Sequence, residues 1–465
     1  MAEGKLEEHM PPAAAKVEIN VADVIDAGGL NRYRLGVFLL CGLFLIMDGF
    51  DVQAMGFVAP ALISDWKIAN ATLGPVFSSG LLGLFLGSML FGMLGDRIGR
   101  RRVLLGATLL YAAFTLWSGL SMSVSELLIV RFVAGLGLGA VLPNATALIG
   151  EFSPRRMRVS AMMIVTNGFT VGAMLGGFLA AWLIPLHGWR AVFYVGAAVP
   201  LLLLVPMLLW LPESLKFLAL RRNDPREIAK WLARVDPRAV PDGDVRFVVP
   251  EERAAGVPIA QLFRAGRASA TALIWAANFM NVLNAYFISS WLPTVVRDAG
   301  HATSTAVLVG TSVQAGGVIG TIAIAGVIGR VGFVPVLTAC FAVETVAIAL
   351  LGQPALPLAL LFVVAFLTGW GIFGGQPALN AFSATYYPTD LRSTGLGAAL
   401  GIGRCAAIVG PLVGAAMMQR QLTSEWLFYG AAVPAVLATV SVMLLAKAGG
   451  TVGTRAGAVV QEGAA

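Results

Sequence analysis

The stretch Leu45-Ile46-Met47-Asp48-Gly49-Phe50-Asp51-Val52 sets two carboxylates inside an apolar run that extends from about Leu35 to Leu62. A run of that length can cross a bilayer, which takes about 20 residues of helix. A carboxylate at the centre of such a helix costs about 2.5–3.5 kcal/mol on insertion scales. The i, i+3 spacing of Asp48 and Asp51 puts both on one helix face. That face cannot meet lipid. It has to meet protein or a wet cavity, which the rest of the chain must supply.

The composition agrees. Of 465 residues, 58% are hydrophobic and 12% are charged, against about 25% charged in soluble domains. Mean hydropathy is +0.82. Twelve apolar spans are predicted at roughly 33–60, 73–94, 102–120, 125–150, 159–184, 190–211, 269–296, 305–328, 333–352, 356–382, 391–418 and 426–446. They divide the chain into a tail (1–32), a first bundle (33–211), a polar linker (212–268), a second bundle (269–446) and a second tail (447–465). The linker carries Arg221, Arg222, Arg226, Lys230, Arg234 and Arg238 and reads as short surface helices. The first 31 residues hold no early apolar core, so no cleavable signal peptide is expected.

The formal charge of +7 is no nucleic-acid signal, because the 32 lysines and arginines sort by side. Lys67, Arg190, Arg297 and Arg420 fall in odd-numbered loops, and Arg131 and Arg404 fall inside spans. The others fall in the tails and the even-numbered loops. Positive charge stays inside, so both termini and the linker are expected to be cytoplasmic. Cys41, Cys340 and Cys405 lie in apolar spans and read as small buried residues; no spacing suggests a metal site or a disulfide framework.

The chain repeats itself. Shifted by 234 residues, Phe132 meets Phe366, Gly135 meets Gly369, Gly137 meets Gly371, Pro143 meets Pro377 and Arg158 meets Arg392. Shifted by 233, Met47 meets Met280, Asp48 meets Asn281, Asp51 meets Asn284 and Pro60 meets Pro293. Two parallel six-helix repeats place a substrate near the midplane between them. The charges do not repeat: both aspartates become asparagines, Arg131 becomes Ala365, and Thr170 becomes Arg404. Function is therefore divided between the halves.

After the second span comes Gly92-Met93-Leu94-Gly95-Asp96-Arg97-Ile98-Gly99-Arg100-Arg101-Arg102. Its glycines permit close helix approach and a sharp turn. Asp96 can accept hydrogen bonds from the start of a neighbouring helix, and Arg97 can pair across an interface. This loop resembles the signature loop of the major facilitator superfamily. The resemblance implies a cytoplasmic latch for the outward-open state, with Gly92, Asp96, Arg97, Gly99 and Arg100 as gating residues. The second-half copy, Gly326-Val327-Ile328-Gly329-Arg330-Val331-Gly332, lacks the aspartate and is expected to latch more weakly.

Further stretches narrow the resemblance to the aromatic acid:proton symporter branch. They are Asp48-Gly49-Phe50-Asp51 followed by Gly56-Phe57-Val58-Ala59-Pro60, and Arg131 to Gly139 with Pro143-Asn144 and Glu151. Gly374-Gly375-Gln376 with Asn380, and Arg392-Ser393-Thr394-Gly395 leading to Arg404, complete the set. The resemblance covers roughly 32–446. It implies an all-α integral membrane protein of the major facilitator fold, with twelve helices in two six-helix bundles in an inner membrane. It implies import of benzoate, hydroxybenzoate or protocatechuate-type anions with protons.

The residues fit that chemistry. An aromatic acid is an anion at neutral pH and needs a cation in the cavity. Arg404, about thirteen residues into its span, can hold a carboxylate through two parallel hydrogen bonds, or can pair with an aspartate. Arg131 reads as partner of the aspartates, with direct substrate contact as the alternative. Asp48 and Asp51 are candidate proton carriers, with bracing of helices as the bland reading; Asp48 is deeper in its span and less easily reached, so the structural share falls more to it, and Asp51 is expected to carry the coupling. Phe50, Asn278, Asn281, Tyr286, Trp291, Gln314, Trp370, Phe373, Gln376 and Asn380 are candidates for lining the cavity; Gln376 and Asn380 share a face at i, i+4. Glu344 in the ninth span reads as structural. Pro212-Glu213-Ser214 resembles a motif shared across the superfamily. No phosphate loop, catalytic triad or metal cluster is present, so neither an enzyme nor a cofactor or metal is expected. The partners expected are a small aromatic carboxylate, a proton and the bilayer, for a monomer. The rival readings are a porter of another organic acid or of a sugar, and a receptor that binds an aromatic acid without moving it. The fifth span, Gly172 to Gly177, lacks the Gly-Pro pair of efflux branches, which argues against export.

Overall fold

A computed structural model of the chain describes residues 17–222, 224–236, 245–248, 259–353, 356–388 and 390–448. Twelve helices are long and apolar enough to cross a membrane. Spans 1 to 6 are Arg32–Trp66, Asn70–Ile98, Arg100–Leu120, Val124–Phe152, Arg155–His187 and Arg190–Trp210. Spans 7 to 12 are Ala268–Asp298, Thr303–Val331, Phe333–Leu351, Leu358–Tyr386, Arg392–Gln419 and Ser424–Ala446. Several run past the lengths read from hydropathy. Backbone hydrogen bonds continue into the polar headgroup region, where hydropathy has already fallen.

The two halves are built alike. Span 2 packs on 4, 1 on 5 and 3 on 6; in the second half 8 packs on 10, 7 on 11 and 9 on 12. Small residues make these contacts, as they do where helices meet in lipid. A Cβ on Gly135 would fall on the Gly80 carbonyl, and one on its repeat counterpart Gly369 would fall on the Val313 carbonyl. The same holds within the opening stretch: a Cβ on Gly49 would overlap the Phe169 carbonyl of span 5. The turns after spans 2 and 8 use Gly99 and Gly332, with φ of +105° and +89°, which side chains rarely adopt.

The linker is tied to the first half. Val17–Asn20 pairs in parallel with Val245–Val248. The linker helix Pro225–Val235 stacks Trp231 on Tyr33, with ring centroids 6.3 Å apart. The Asn31 side chain donates to the Arg234 and Val235 carbonyls that end this helix, at 2.9 and 2.8 Å. Arg34, fully buried, donates to the carbonyls of Ile25, Gly28 and Gly29. The linker is thus partly strand and not only short helices. Arg238, residues 1–16 and most of the 447–465 tail lie outside the described residues. One expectation is corrected: Cys41 and Cys340 are buried, but Cys405 is exposed, because apolar character in a span does not decide which way a side chain turns.

Candidate functional site

Spans 1, 7 and 11 meet around the midplane between the halves, and the charged residues of the sequence gather there in two layers. In the inner layer Asp51 is fully buried. Arg131 of span 4 holds it with a fork: Nη2 lies 2.9 Å from Oδ2 and Nη1 lies 3.3 Å from Oδ1. Nη2 also donates to the Asp51 carbonyl at 3.2 Å, and the Thr115 hydroxyl of span 3 donates to Oδ1 at 2.9 Å. The side chains of this pair are 4% and 1% exposed. An ion pair so dry persists only because the remaining lone pairs are hydrogen-bonded.

The second layer lies one turn toward the termini. Asp48 is buried, and its Oδ1 has no hydrogen-bond partner. Arg404 on span 11 is half-buried, and its Nη1 is also without a partner. The two are close enough for their charges to act on each other and on the Tyr286 hydroxyl, yet among the described residues they form no ion pair. Beside them the second half contributes amides. Gln376 Nε2 donates to Asn278 Oδ1 at 2.9 Å and to Asn380 Oδ1 at 3.1 Å. Asn281 Nδ2 donates to Gln376 Oε1 at 2.6 Å and to the Ile372 carbonyl at 3.1 Å. Gln376, Asn380, Tyr286 and Arg404 are only half-buried, so this layer is open on one side.

The opening faces the termini. Among the described residues, the side-chain hydrogen bonds between the halves lie on the far side. Gln53 donates to the Ser289 carbonyl at 2.9 Å, Ser78 to the Ile408 carbonyl at 2.7 Å, and Asn70 to Asp298 at 2.6 Å. Phe77 meets Trp291 edge to face at 5.2 Å, and a Cβ on Gly177 would overlap the Thr311 hydroxyl. The signature loop, by contrast, binds within its own half. Arg100 pairs with Glu151, which also accepts from Ser214 at 2.9 Å. Glu213 accepts from the Arg101 amide at 3.1 Å and lies under Gly99. Asp96 is 70% exposed and among the described residues meets only the Arg100 guanidinium, at 3.3 Å, and Arg97 is exposed. The expected capping role of Asp96 is not made here, because the halves are apart on this side. Gly92 lies against Pro143.

Four of the expected lining residues sit elsewhere. Phe50 is wedged between Gly176 and Gly196 in the core of the first half. Trp291 is buried, donates to the Pro411 carbonyl at 3.0 Å and packs the far-side seal. Gln314 belongs to that seal, donating to Ser289 at 3.4 Å. Trp370 packs across Gly320 between spans 8 and 10. Aromatic side chains in a glycine-rich bundle fill the grooves that glycines leave, and apolar character alone does not separate that use from ligand contact. Thr115, Gln53 and Ser289 join the site without a counterpart among the residues expected from sequence. Gln53 was legible as an amide in mid-run, whereas Thr115 carried no signal, since hydroxyls in such helices usually bond their own backbone.

The Major Facilitator Superfamily profile matches residues 39–240 and 274–458. The chain is 37% identical over 428 residues to the 4-hydroxybenzoate transporter PcaK of Pseudomonas putida, covering 92% of this chain and 95% of that protein. It is 38% identical over 435 residues to a gallate transporter of the same species, covering 93% and 96%. It is 31% identical over 445 residues to a benzoate transport protein of Acinetobacter baylyi, covering 92% and 93%. Among solved structures, a bacterial homolog of the human lysosomal transporter Spinster, inward-facing and occupied, superposes with a TM-score of 0.70 at 17% identity, over 90% of this chain and 98% of that one. The partially occluded inward-open xylose transporter XylE of Escherichia coli gives 0.66 at 15% identity, over 88% and 97%. These two likenesses establish the fold alone.

Proposed function

This chain belongs to the major facilitator superfamily, within its group of aromatic-acid transporters, and we propose that it imports a hydroxybenzoate-, protocatechuate- or benzoate-type anion with protons across a bacterial inner membrane by alternating access. Both termini are cytoplasmic in this reading, so the open side faces the cytoplasm. The protein is a multi-pass membrane transporter and not an enzyme. The observation that carries the proposal is that Asp48 and Arg404, on opposite halves, lie close enough for their charges to interact while Asp48 Oδ1 and Arg404 Nη1 have no hydrogen-bond partner.

The chemistry follows from that pair. Arg404 takes the substrate carboxylate in a two-pronged hydrogen bond. An anion seated on Arg404 offsets the guanidinium's charge at Asp48, so a substrate on Arg404 and a proton on Asp48 favour each other. Substrate and proton then occupy the site together, which is what symport requires. Tyr286 and the half-buried Gln376 and Asn380 orient the ring and its substituents. The buried Asp51–Arg131 pair anchors spans 1 and 4 beside them.

The test is uptake of labelled 4-hydroxybenzoate into proteoliposomes with and without an imposed pH gradient. Accumulation above the external concentration only with the gradient is expected. Uptake indifferent to the gradient would remove proton coupling, and binding without uptake would favour a receptor.

A further inference from the structure

Glu344 of span 9 is fully buried, in a part of the second half that the transport reading does not use. Its place follows from the repeat. A Cβ on Gly137 would meet Tyr111 Cβ at 2.9 Å, and one on the matching Gly371 would meet Glu344 Cβ at 2.6 Å, so Glu344 stands where the first half has Tyr111. Asn284 stands where the first half has Asp51. The acid has changed sides of the contact between spans 1 and 3, or 7 and 9, and the cation is gone, because Arg131 corresponds to Ala365.

Among the described residues, no lysine, arginine or histidine pairs with Glu344. Span 9 packs on spans 8, 10 and 12, and among the described residues no charge on any of them acts on the carboxyl. Its surroundings reduce to burial, the Asn284 amide, and the Cys340 thiol one turn back on its own helix. An ionised carboxylate without a cation is costly at this depth.

The hydrogen bonds point the same way. Asn284 Nδ2 donates to Glu344 Oε1 at 3.1 Å. The two atoms of this pair left without partners are Glu344 Oε2 and Asn284 Oδ1. Both are acceptors when the acid is ionised, and one proton on Oε2 turns them into donor and acceptor. A second hydrogen bond, from the Oε2 hydroxyl to Asn284 Oδ1, would make the acid and the amide a ring with every buried polar atom of the pair satisfied. Asn284 lies one turn from Asn281, which bonds Gln376.

We propose that Glu344 is a positioning residue that stays a neutral carboxylic acid through the transport cycle, ringed with the Asn284 amide, and that this ring sets span 7 so that Asn281 and Gln376 present their amides to the substrate. Its effect on the substrate rests on the transport reading above; its protonation state does not. Glu344 therefore differs in kind from Asp48, which gains and loses its proton.

Two measurements on the full-length protein test this. In proteoliposomes at pH 7, the infrared difference between wild type and Glu344→Gln should show loss of a protonated-carboxyl C=O band. Loss of carboxylate bands instead would overturn the proposal without touching the transport reading. Glutamine supplies the same donor and acceptor, so Glu344→Gln should keep kcat, KM and the pH profile of uptake within about twofold, whereas Glu344→Leu should lose about tenfold or more in kcat/KM, mostly in KM. Glu344→Gln that keeps counterflow exchange but loses gradient-driven accumulation would make Glu344 a proton carrier and refute the assignment. Should Glu344→Leu fail to fold, the two Glu344→Gln readouts decide alone.

Discussion

Removing the guanidinium from the Asp51–Arg131 pair tests the inner layer of the site. Arg131→Met keeps an unbranched apolar chain but leaves the Asp51 carboxylate with only the Thr115 hydroxyl. Orphaning one partner of a buried pair costs about 3–5 kcal/mol. The protein has a second route, which is to protonate Asp51. For an ordinary aspartyl carboxyl that costs about 4 kcal/mol at pH 7 and about 1.4 kcal/mol less for each pH unit below. The routes are equal near neutrality, and protonation wins at lower pH. The variant's folded state then binds a proton that its unfolded state does not, so its stability falls as pH rises. Relative to wild type, Arg131→Met should lose about 4 kcal/mol at pH 7 and about 2 kcal/mol at pH 5.5. Adding Asp51→Asn removes the orphaned charge and should recover most of the loss at pH 7, with little dependence on pH. Denaturant midpoints of the purified protein in detergent, at both pH values and for all four members of the cycle, measure this. An equal loss at pH 5.5 and 7 would refute the reasoning, as would a double variant no more stable than Arg131→Met.

Arg404→Ala should weaken binding of 4-hydroxybenzoate by about tenfold to a hundredfold, the worth of hydrogen bonds to a charged group, and leave binding of the uncharged ring phenol unchanged. Calorimetric titration compares the two, and equal losses would mean that Arg404 only packs. Asp48→Asn should keep counterflow exchange while abolishing accumulation driven by a pH gradient; accumulation at the wild-type level would remove Asp48 from coupling. Gly49→Ala puts a methyl group against the Phe169 carbonyl and should destabilise the protein by about 1–3 kcal/mol through overpacking, read as a lower denaturant midpoint; an unchanged midpoint would show that spans 1 and 5 separate freely.

The span count, the two-fold repeat and the sites of unusual charge were legible in the chain because each is a local or periodic property. Bilayer insertion is decided helix by helix from apolar length, and an aspartate or arginine inside such a helix stands out whatever surrounds it. Asp48, Asp51, Arg131 and Arg404 all stand out in this way, and their flanking motifs carry the family resemblance. The partners of these charges were not legible. Whether Arg404 or Arg131 meets an aspartate depends on the rotation of spans 1, 4 and 11 about their axes, and small-residue contacts such as Gly49 on Phe169 and Gly135 on Gly80 set such rotations. The aromatic residues show the same limit, since Phe50 and Trp291 are as apolar as any cavity wall yet fill grooves opposite glycines. Which side is sealed is likewise decided only in three dimensions. Gln53, Ser289, Thr311 and Gly177 lie far apart in the chain, and they close the far side only when the two halves tilt together there.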